Sequence, residues 1–433
     1  MADDATRLKA PGKAPWGLLS LLILINILNF VDRQLLPSFA NFIKPELGLT
    51  DTQFGLLTGL FFIIFYAVAG LFMGMLADMT HRGRLIAGAI AVWSLLTAAS
   101  GAAKGFVTMA IPRALVGIGE SALTPAALSL LAERFPPRQL GLAAGLYYLG
   151  VPIGAGASLL VAGYLGPVLG WRNCFYLLGL AGLTLAAVML FVRDPRTRPI
   201  HHKQPGLGAQ LKVLHGAIKA SPALIATMAG GVAIHFAVGA ASFDQLWFVQ
   251  ERGFERAEIA KITGLLTVVG GVAGNVFGGF AGDWWQRRFG SGRPMLLFWM
   301  MLALSPFLLA FRIVSADSPL FYVGVALGVF QLAAFYGPTF STVQELAPIS
   351  ARATVTAFYV LCLNAIGLGV GVTAAGWMVD LLRKAGHAEP YSVALLTFTI
   401  LSSLAIPAFF LAGHWFHRDK ARLALVDGVQ TIH

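Results

Sequence analysis

Apolar residues fill this chain in long runs, broken at fairly regular intervals by short clusters rich in Arg, Lys, Asp, Pro and Gly. A hydrocarbon core about 30 Å thick takes about 20 apolar residues to cross as a helix, and the runs have that length. They are continuous rather than alternating, which predicts helices and not a barrel. Six spans are expected near 17–38, 53–77, 85–103, 106–132, 140–165 and 171–192. Six more follow near 222–249, 258–282, 294–314, 319–344, 353–380 and 391–415. The longest polar interruption, "RDPRTRPIHHKQPGLGAQLKVLHGAIKASP", separates the two sets. The pattern thus predicts a tail at 1–16, a six-helix bundle at 17–192, a linker at 193–220, a second bundle at 221–416 and a closing tail at 417–433.

Composition agrees: 57% of the 433 residues are hydrophobic and 12% charged, with a mean hydropathy of +0.74. Soluble domains carry about 25% charged residues, so the chain is expected to be an all-α integral membrane protein. The formal net charge of +11 is read as loop orientation rather than nucleic-acid binding. With the amino terminus inside, twenty Lys and Arg fall in the tails and on the inner loops against nine on the other side. Both termini are therefore expected in the cytoplasm, in a bacterial-type inner membrane. No cleavable signal is expected ahead of the first span. Cys174 and Cys362 lie in separate apolar spans, which suggests neither a disulfide nor a metal site, and no cofactor is implied.

The halves echo one another. "GMLADMTHR" (Gly74 to Arg82) follows span two and "GFAGDWWQR" (Gly279 to Arg287) follows span eight, both reading G-x-x-x-D-x-x-x-R. "ERFPPR" (Glu133 to Arg138) after span four is answered by "ELAPISAR" (Glu345 to Arg352) after span ten, at offsets of 212 to 214 residues against 205 for the first echo. Six spans duplicated in parallel orientation explain both. Here the chain resembles the major facilitator superfamily, whose signature lies between spans two and three; Met79 departs from it where members often carry Arg. The resemblance implies the major facilitator fold of two pseudo-symmetric six-helix bundles. Asp78 with Arg82, and Asp283 with Arg287, are expected to pair locally and form a cytoplasmic gate latching one half on the other. Gly270, Gly274, Gly278 and Gly282 recur every four residues, a small face suited to close helix packing.

Four charges stand inside the apolar runs of the first half. "NFVDR" places Asp32 and Arg33 in span one, and "RALVGIGES" places Arg113 and Glu120 in span four. Seven residues on a helix return to one face, about 20° out of register. An ionised group at mid-membrane costs roughly 2.5 to 3.5 kcal/mol on insertion scales, so these four are expected to form one cluster. Burial and a nearby guanidinium act oppositely on a carboxyl, so moving either can load or release a proton. That makes Asp32 and Glu120 candidates for proton coupling. Arg33 and Arg113 are candidate clamps for an anion or partners of the acids. The second half is expected to be poorer in buried charge. His235 there is read as packing, and Phe236, Phe243, Phe335, Tyr336 and Phe358 as an apolar wall for substrate.

These stretches, with "YYLGVPIGAG", resemble the Spinster family, whose members move lysophospholipids or sphingosine-phosphate-type lipids. The resemblance implies Asp32 and Glu120 as protonation sites with Arg33 and Arg113 as partners. The expected protein is a monomeric, proton-coupled transporter of an amphipathic lipid, with a small organic anion as the alternative substrate. No G-x-x-x-x-G-K-[ST] loop argues for a primary pump, and no H-E-x-x-H or G-x-S-x-G pattern for an enzyme.

Overall fold

The computed structural model describes residues 15–194 and 207–430. Twelve helices there are long and apolar enough to cross a membrane. The first six are α1 (Trp16–Ser38), α2 (Asp51–Gly70), α3 (Arg82–Gly101), α4 (Phe106–Arg134), α5 (Pro137–Tyr164) and α6 (Gly166–Leu190). The second six are α7 (Pro222–Gln250), α8 (Arg256–Phe289), α9 (Arg293–Ile313), α10 (Pro319–Glu345), α11 (Arg352–Lys384) and α12 (Pro390–Leu423). All twelve predicted spans are present, with ends moved by a few residues. Helix α2 is interrupted at Gly59 (φ −117°, ψ −99°), and its second part runs Leu60–Met79.

Local chemistry sets the ends. Thr50 and Gln53 form a reciprocal capping box at the start of α2. Ser221 caps α7 ahead of Pro222, and Ser318 caps α10 ahead of Pro319. Gly290 ends α8 in the left-handed conformation, φ +70°, which a residue with a Cβ adopts only at a cost.

Packing inside the two halves repeats. Helix α1 lies on α5, α2 on α4 and α3 on both α4 and α6; α7 lies on α11, α8 on α10 and α9 on both α10 and α12. Each pairing recurs six helices later, as a duplicated unit requires. The small face of α8 serves this packing. Gly274 backs onto Phe330 and Ala333, Gly278 onto the Ala334 carbonyl and Gly282 onto Pro338, all on α10.

Two expected boundaries look different in three dimensions. The linker contains a helix, Leu207–Ala220, whose Leu214 and Ala217 are buried in the core of the second half. Residues 195–206 of the linker and 1–14 of the leading tail lie outside the described residues. The expected tail at 417–433 starts as a straight continuation of α12, in a helix running Ala405–Gln430. Asp419 on that continuation is buried and accepts hydrogen bonds from Ser221 Oγ (3.0 Å) and the Ala223 backbone N–H (2.8 Å), capping α7. A carboxylate at a helix amino end is favourable, which explains why the helix continues past the apolar run.

The halves meet along α5 with α8 and α2 with α11. A Cβ at Gly156 would lie 2.7 Å from the Gly264 carbonyl, and one at Gly55 would lie 2.7 Å from that of Val372. Gly74, Gly141 and Gly145, toward the other ends of α2 and α5, face open space. The two halves therefore touch at one end and stand apart at the end that carries the linker.

The glycine contacts give a matched test. Gly278→Ala should lower the thermal midpoint in detergent by the equivalent of about 1–3 kcal/mol, because backbone opposite it cannot yield. Gly279→Ala, with nothing within 4 Å of the new methyl, should leave the midpoint unchanged or raise it slightly.

Candidate functional site

Helices α1 and α4 bring the four predicted charges together. Arg33 donates to Glu120 Oε2 from Nη2 (2.9 Å) and Nε (3.1 Å). The Glu120 side chain has no exposure, whereas that of Arg33 is 21% exposed. Arg113 donates to the backbone carbonyls of Asp32 and Arg33, both at 3.3 Å. The cluster is thus an ion pair with an arginine bracing the α1 backbone, rather than two side-chain pairs. Asp32 is 1% exposed, and Thr97 and Trp93 of α3 face it. Neither of its carboxyl oxygens has a hydrogen-bond partner among the described residues, and the same holds for Glu120 Oε1, Asn29 Nδ2 and Trp93 Nε1.

Sequence reasoning missed the aromatic shelf of the site. The Arg33 guanidinium lies 4.9 Å from the Phe30 ring centre and 4.8 Å from those of Phe62 and Tyr66, and Arg113 lies 5.5 Å from Phe62. Cation–π attraction strengthens where water is excluded, so these rings hold the charge on its inner side. Phe62 and Tyr66 are four apart on α2 and stack at 5.6 Å; that spacing was the available signal.

The glycines of "RALVGIGES" have a geometric cause. A Cβ on Gly117 would meet the Phe62 carbonyl at 2.6 Å, and one on Gly119 would meet Trp93 Cβ at 3.1 Å and the Ala89 carbonyl at 3.3 Å. Helix α4 can approach α2 and α3 this closely only without those side chains. That approach carries Glu120 to Arg33.

Across the molecule, His235 of α7 bonds the Gly231 carbonyl through Nδ1 (2.8 Å) and Tyr336 of α10 through Nε2 (3.1 Å). Phe236, Tyr336 and Phe358 of the expected wall are partly exposed. The other two correct that expectation. Phe335 is fully buried against Phe409 inside the second half, and Phe243 is fully buried against Phe54 and Tyr391 where the halves touch. The second half also holds more buried charge than expected. Asp244 accepts from Arg312 Nη1 at 2.7 Å, and Arg312 is only 7% exposed. Cys174 and Cys362 are separate, buried thiols.

The end where the halves touch carries a polar latch between them. Asp380 of α11 accepts from the Asp51 N–H (3.0 Å), the Thr52 N–H (2.8 Å) and Thr52 Oγ1 (2.6 Å), capping α2 of the opposite half. Asp51, 1% exposed, accepts from Tyr391 Oη (2.6 Å) and pairs with Lys44 (3.0 Å) and Arg383 (3.4 Å). Asn41 Nδ2 donates to the Gln245 carbonyl at 2.6 Å. Among the described residues, the hydrogen bonds between the halves all lie at this end.

The gate expected at the other end is built differently. Arg82 bonds Ser129, Glu133 and Asp194, all within the first half. Asp283 pairs with Arg293 (2.8 Å), which also holds Glu345, while Arg287 is exposed. The side chain of Asp78 lies outside the described residues. The physical reason is register: Arg82 opens α3 and Arg293 opens α9, an offset of 211 that matches the offset of 212 between Glu133 and Glu345. The second half carries extra residues between its Asp and this Arg, so the D-x-x-x-R echo aligned Arg82 with the wrong arginine. These ion pairs tie helix ends inside each half and do not join the halves.

The sequence profile of the Major Facilitator Superfamily matches residues 22–372. An MFS-type efflux pump of Mycolicibacterium smegmatis is 29% identical over 425 residues, covering 96% of each chain. A hexuronate transporter of Bacillus subtilis is 28% identical over 376 residues, covering 83% of this chain and 86% of the relative. A sphingosine-1-phosphate transporter of Xenopus tropicalis is 23% identical over 401 residues, covering 88% and 76%. Among solved structures, a bacterial homologue of the human lysosomal transporter Spinster, inward-facing and unoccupied, superposes with a TM-score of 0.80 at 23% identity, covering 94% of this chain and 99% of the other.

Two outcomes check this geometry. Glu120→Gln leaves the partly exposed Arg33 guanidinium without its anion and should cost about 1.5–3 kcal/mol of stability; a double variant with Arg33→Met should lose less than the sum of the singles, read by thermal unfolding. Asp380→Asn weakens the cap on α2. Spin labels on the exposed Pro45 and Lys384 should then show a larger long-distance population, and an unchanged distance distribution would rule out the latch.

Proposed function

The chain belongs to the Major Facilitator Superfamily, and from that premise we propose that it is a proton-coupled secondary transporter of an amphipathic lipid, of lysophospholipid or sphingosine-phosphate type. It is an integral multi-pass membrane transporter. The proposed cycle rocks the bundles 17–192 and 221–416 about the central charge cluster. The termini and linker lie in the cytoplasm of a cell with an inner membrane, the open end faces inward, and a monomer carries out the cycle.

One observation carries the coupling: a wholly buried Glu120 is neutralised by an Arg33 that is itself partly exposed. An anionic head that captures Arg33, forking onto the guanidinium, withdraws the partner of Glu120. A buried carboxylate left without a cation is costly, and taking up a proton removes that cost. Substrate and proton binding are linked in this way, with Arg113 holding the α1 backbone. Asp32, buried against Thr97 and Trp93 without a hydrogen-bond partner among the described residues, is the second proton carrier. Phe30 and Tyr66 of the aromatic shelf, with Phe236, Tyr336 and Phe358 of the second half, are partly exposed and suit an apolar tail. The sphingosine-1-phosphate relative supports the lipid class.

The Asp51–Asp380 latch closes the outer end while substrate is inside. Arg82 with Glu133 and Asp194, and Arg293 with Asp283 and Glu345, keep each half rigid as it rocks. A second reading, a symporter of a small organic anion whose carboxylate sits on Arg33, is favoured by the hexuronate relative.

Uptake of labelled lysophospholipid into proteoliposomes tests both. The native chain should show uptake stimulated by an imposed pH gradient, and Glu120→Gln should lose the stimulation by at least tenfold. Native protein that moves glucuronate and no lysolipid would transfer the proposal to the organic-anion reading.

A further inference from the structure

Tyr336 is partly exposed, and Arg33 of the first half is close enough for its charge to act on it. Its ring is set by stacking on Phe340 (6.3 Å, 17°) and an edge contact with Phe335 (5.3 Å). Its hydroxyl is held by His235, which is 3% exposed.

The direction of that hydrogen bond follows from the other side of the ring. The Gly231 carbonyl, 2.8 Å from Nδ1, can only accept, so Nδ1 carries the proton. No carboxylate bonds this buried imidazole among the described residues, so a second proton on it would be an unpaired buried charge. The neutral ring leaves Nε2 bare, and Tyr336 must give its only hydroxyl proton to it. Toward any further partner the Tyr336 oxygen then accepts and cannot donate.

We infer that Tyr336, positioned by His235, selects substrates that carry a hydrogen-bond donor, an N–H or O–H, beside the anionic group held by Arg33. This rests on the charge cluster being the substrate site. It narrows the class: an ammonium-bearing head satisfies both sites, whereas a quaternary amine leaves the tyrosine oxygen unsatisfied. A satisfied bond to a charged donor corresponds to about tenfold in affinity.

The test measures binding of lysolipids with phosphoethanolamine and phosphocholine heads to the purified full chain, and reads the ratio of the two affinities. That ratio is insensitive to a general loss of fold. The native chain should prefer the ethanolamine head by about tenfold. Tyr336→Phe removes the acceptor and should bring the ratio to within about twofold of unity. His235→Leu frees the hydroxyl proton to turn outward and leaves the oxygen unpositioned, so it should reduce the preference without reversing it. Tyr359→Phe, which removes a buried hydroxyl elsewhere in the same half, should retain it. Equal binding of both heads by the native chain, or a preference that survives in Tyr336→Phe, overturns the inference. If neither lipid binds, the lipid reading fails, and the ratio is read instead for glucuronate against its tri-O-methyl ether. A preference for the free hydroxyls that Tyr336→Phe abolishes supports the inference; its absence, or no binding of either sugar, overturns it.

Discussion

Charge buried in a membrane protein must be neutralised where it stands, and the Arg33–Glu120 pair meets that demand for two helices at once. Because Glu120 has no exposure and Arg33 keeps a fifth of its surface, the pair is anchored on one side and accessible on the other. An ion pair buried on all sides would be a strut. One with an accessible arginine can exchange its partner, and the acid left behind must respond.

The rest of the first half can be understood as the means of holding that pair. Gly117 and Gly119 let α4 lie against the backbones of α2 and α3. Phe62 and Tyr66 surround the guanidinium, Arg113 braces the carbonyls of α1, and Asn26 ties α1 to α5 through the Tyr147 carbonyl at 2.8 Å. Small residues, aromatic faces and backbone acceptors do here what water does for a surface charge. The second half repeats the scaffold without repeating the site. Where the first half puts acids and arginines, the second puts His235 and Tyr336, and its Asp244–Arg312 pair stands apart from them.

The two ends of the molecule differ in kind. At the closed end, Asp380 caps a helix of the opposite half, so separating the halves there costs hydrogen bonds that water must replace. At the other end, the ion pairs of Arg82 and Arg293 close within their own halves, so the halves can part without breaking them. That asymmetry suits bodies that rock about a fixed centre: rigid inside, with the reversible bonds placed between them.

Much of this was legible in the chain. Run length and hydropathy alone determined twelve membrane helices, because the bilayer imposes its thickness on any segment that crosses it. The internal echo determined a duplicated architecture. The cost of isolated charge in hydrocarbon required Asp32, Arg33, Arg113 and Glu120 to find neutralising surroundings. Tertiary structure alone decided which of them pair: Arg113 went to backbone carbonyls and Asp32 was left without a hydrogen bond among the described residues, because partner choice depends on ångström-scale helix approach. It also gave Asp283 Arg293 rather than Arg287 as its partner, since a repeat motif aligns residues by spacing and a helix end aligns them by position in space. It took Phe243 and Phe335 out of the expected wall, since an aromatic in an apolar run carries no mark of the side it faces. The sequence determines what must be buried or neutralised; the fold decides with what, because that is settled by distances between segments far apart in the chain.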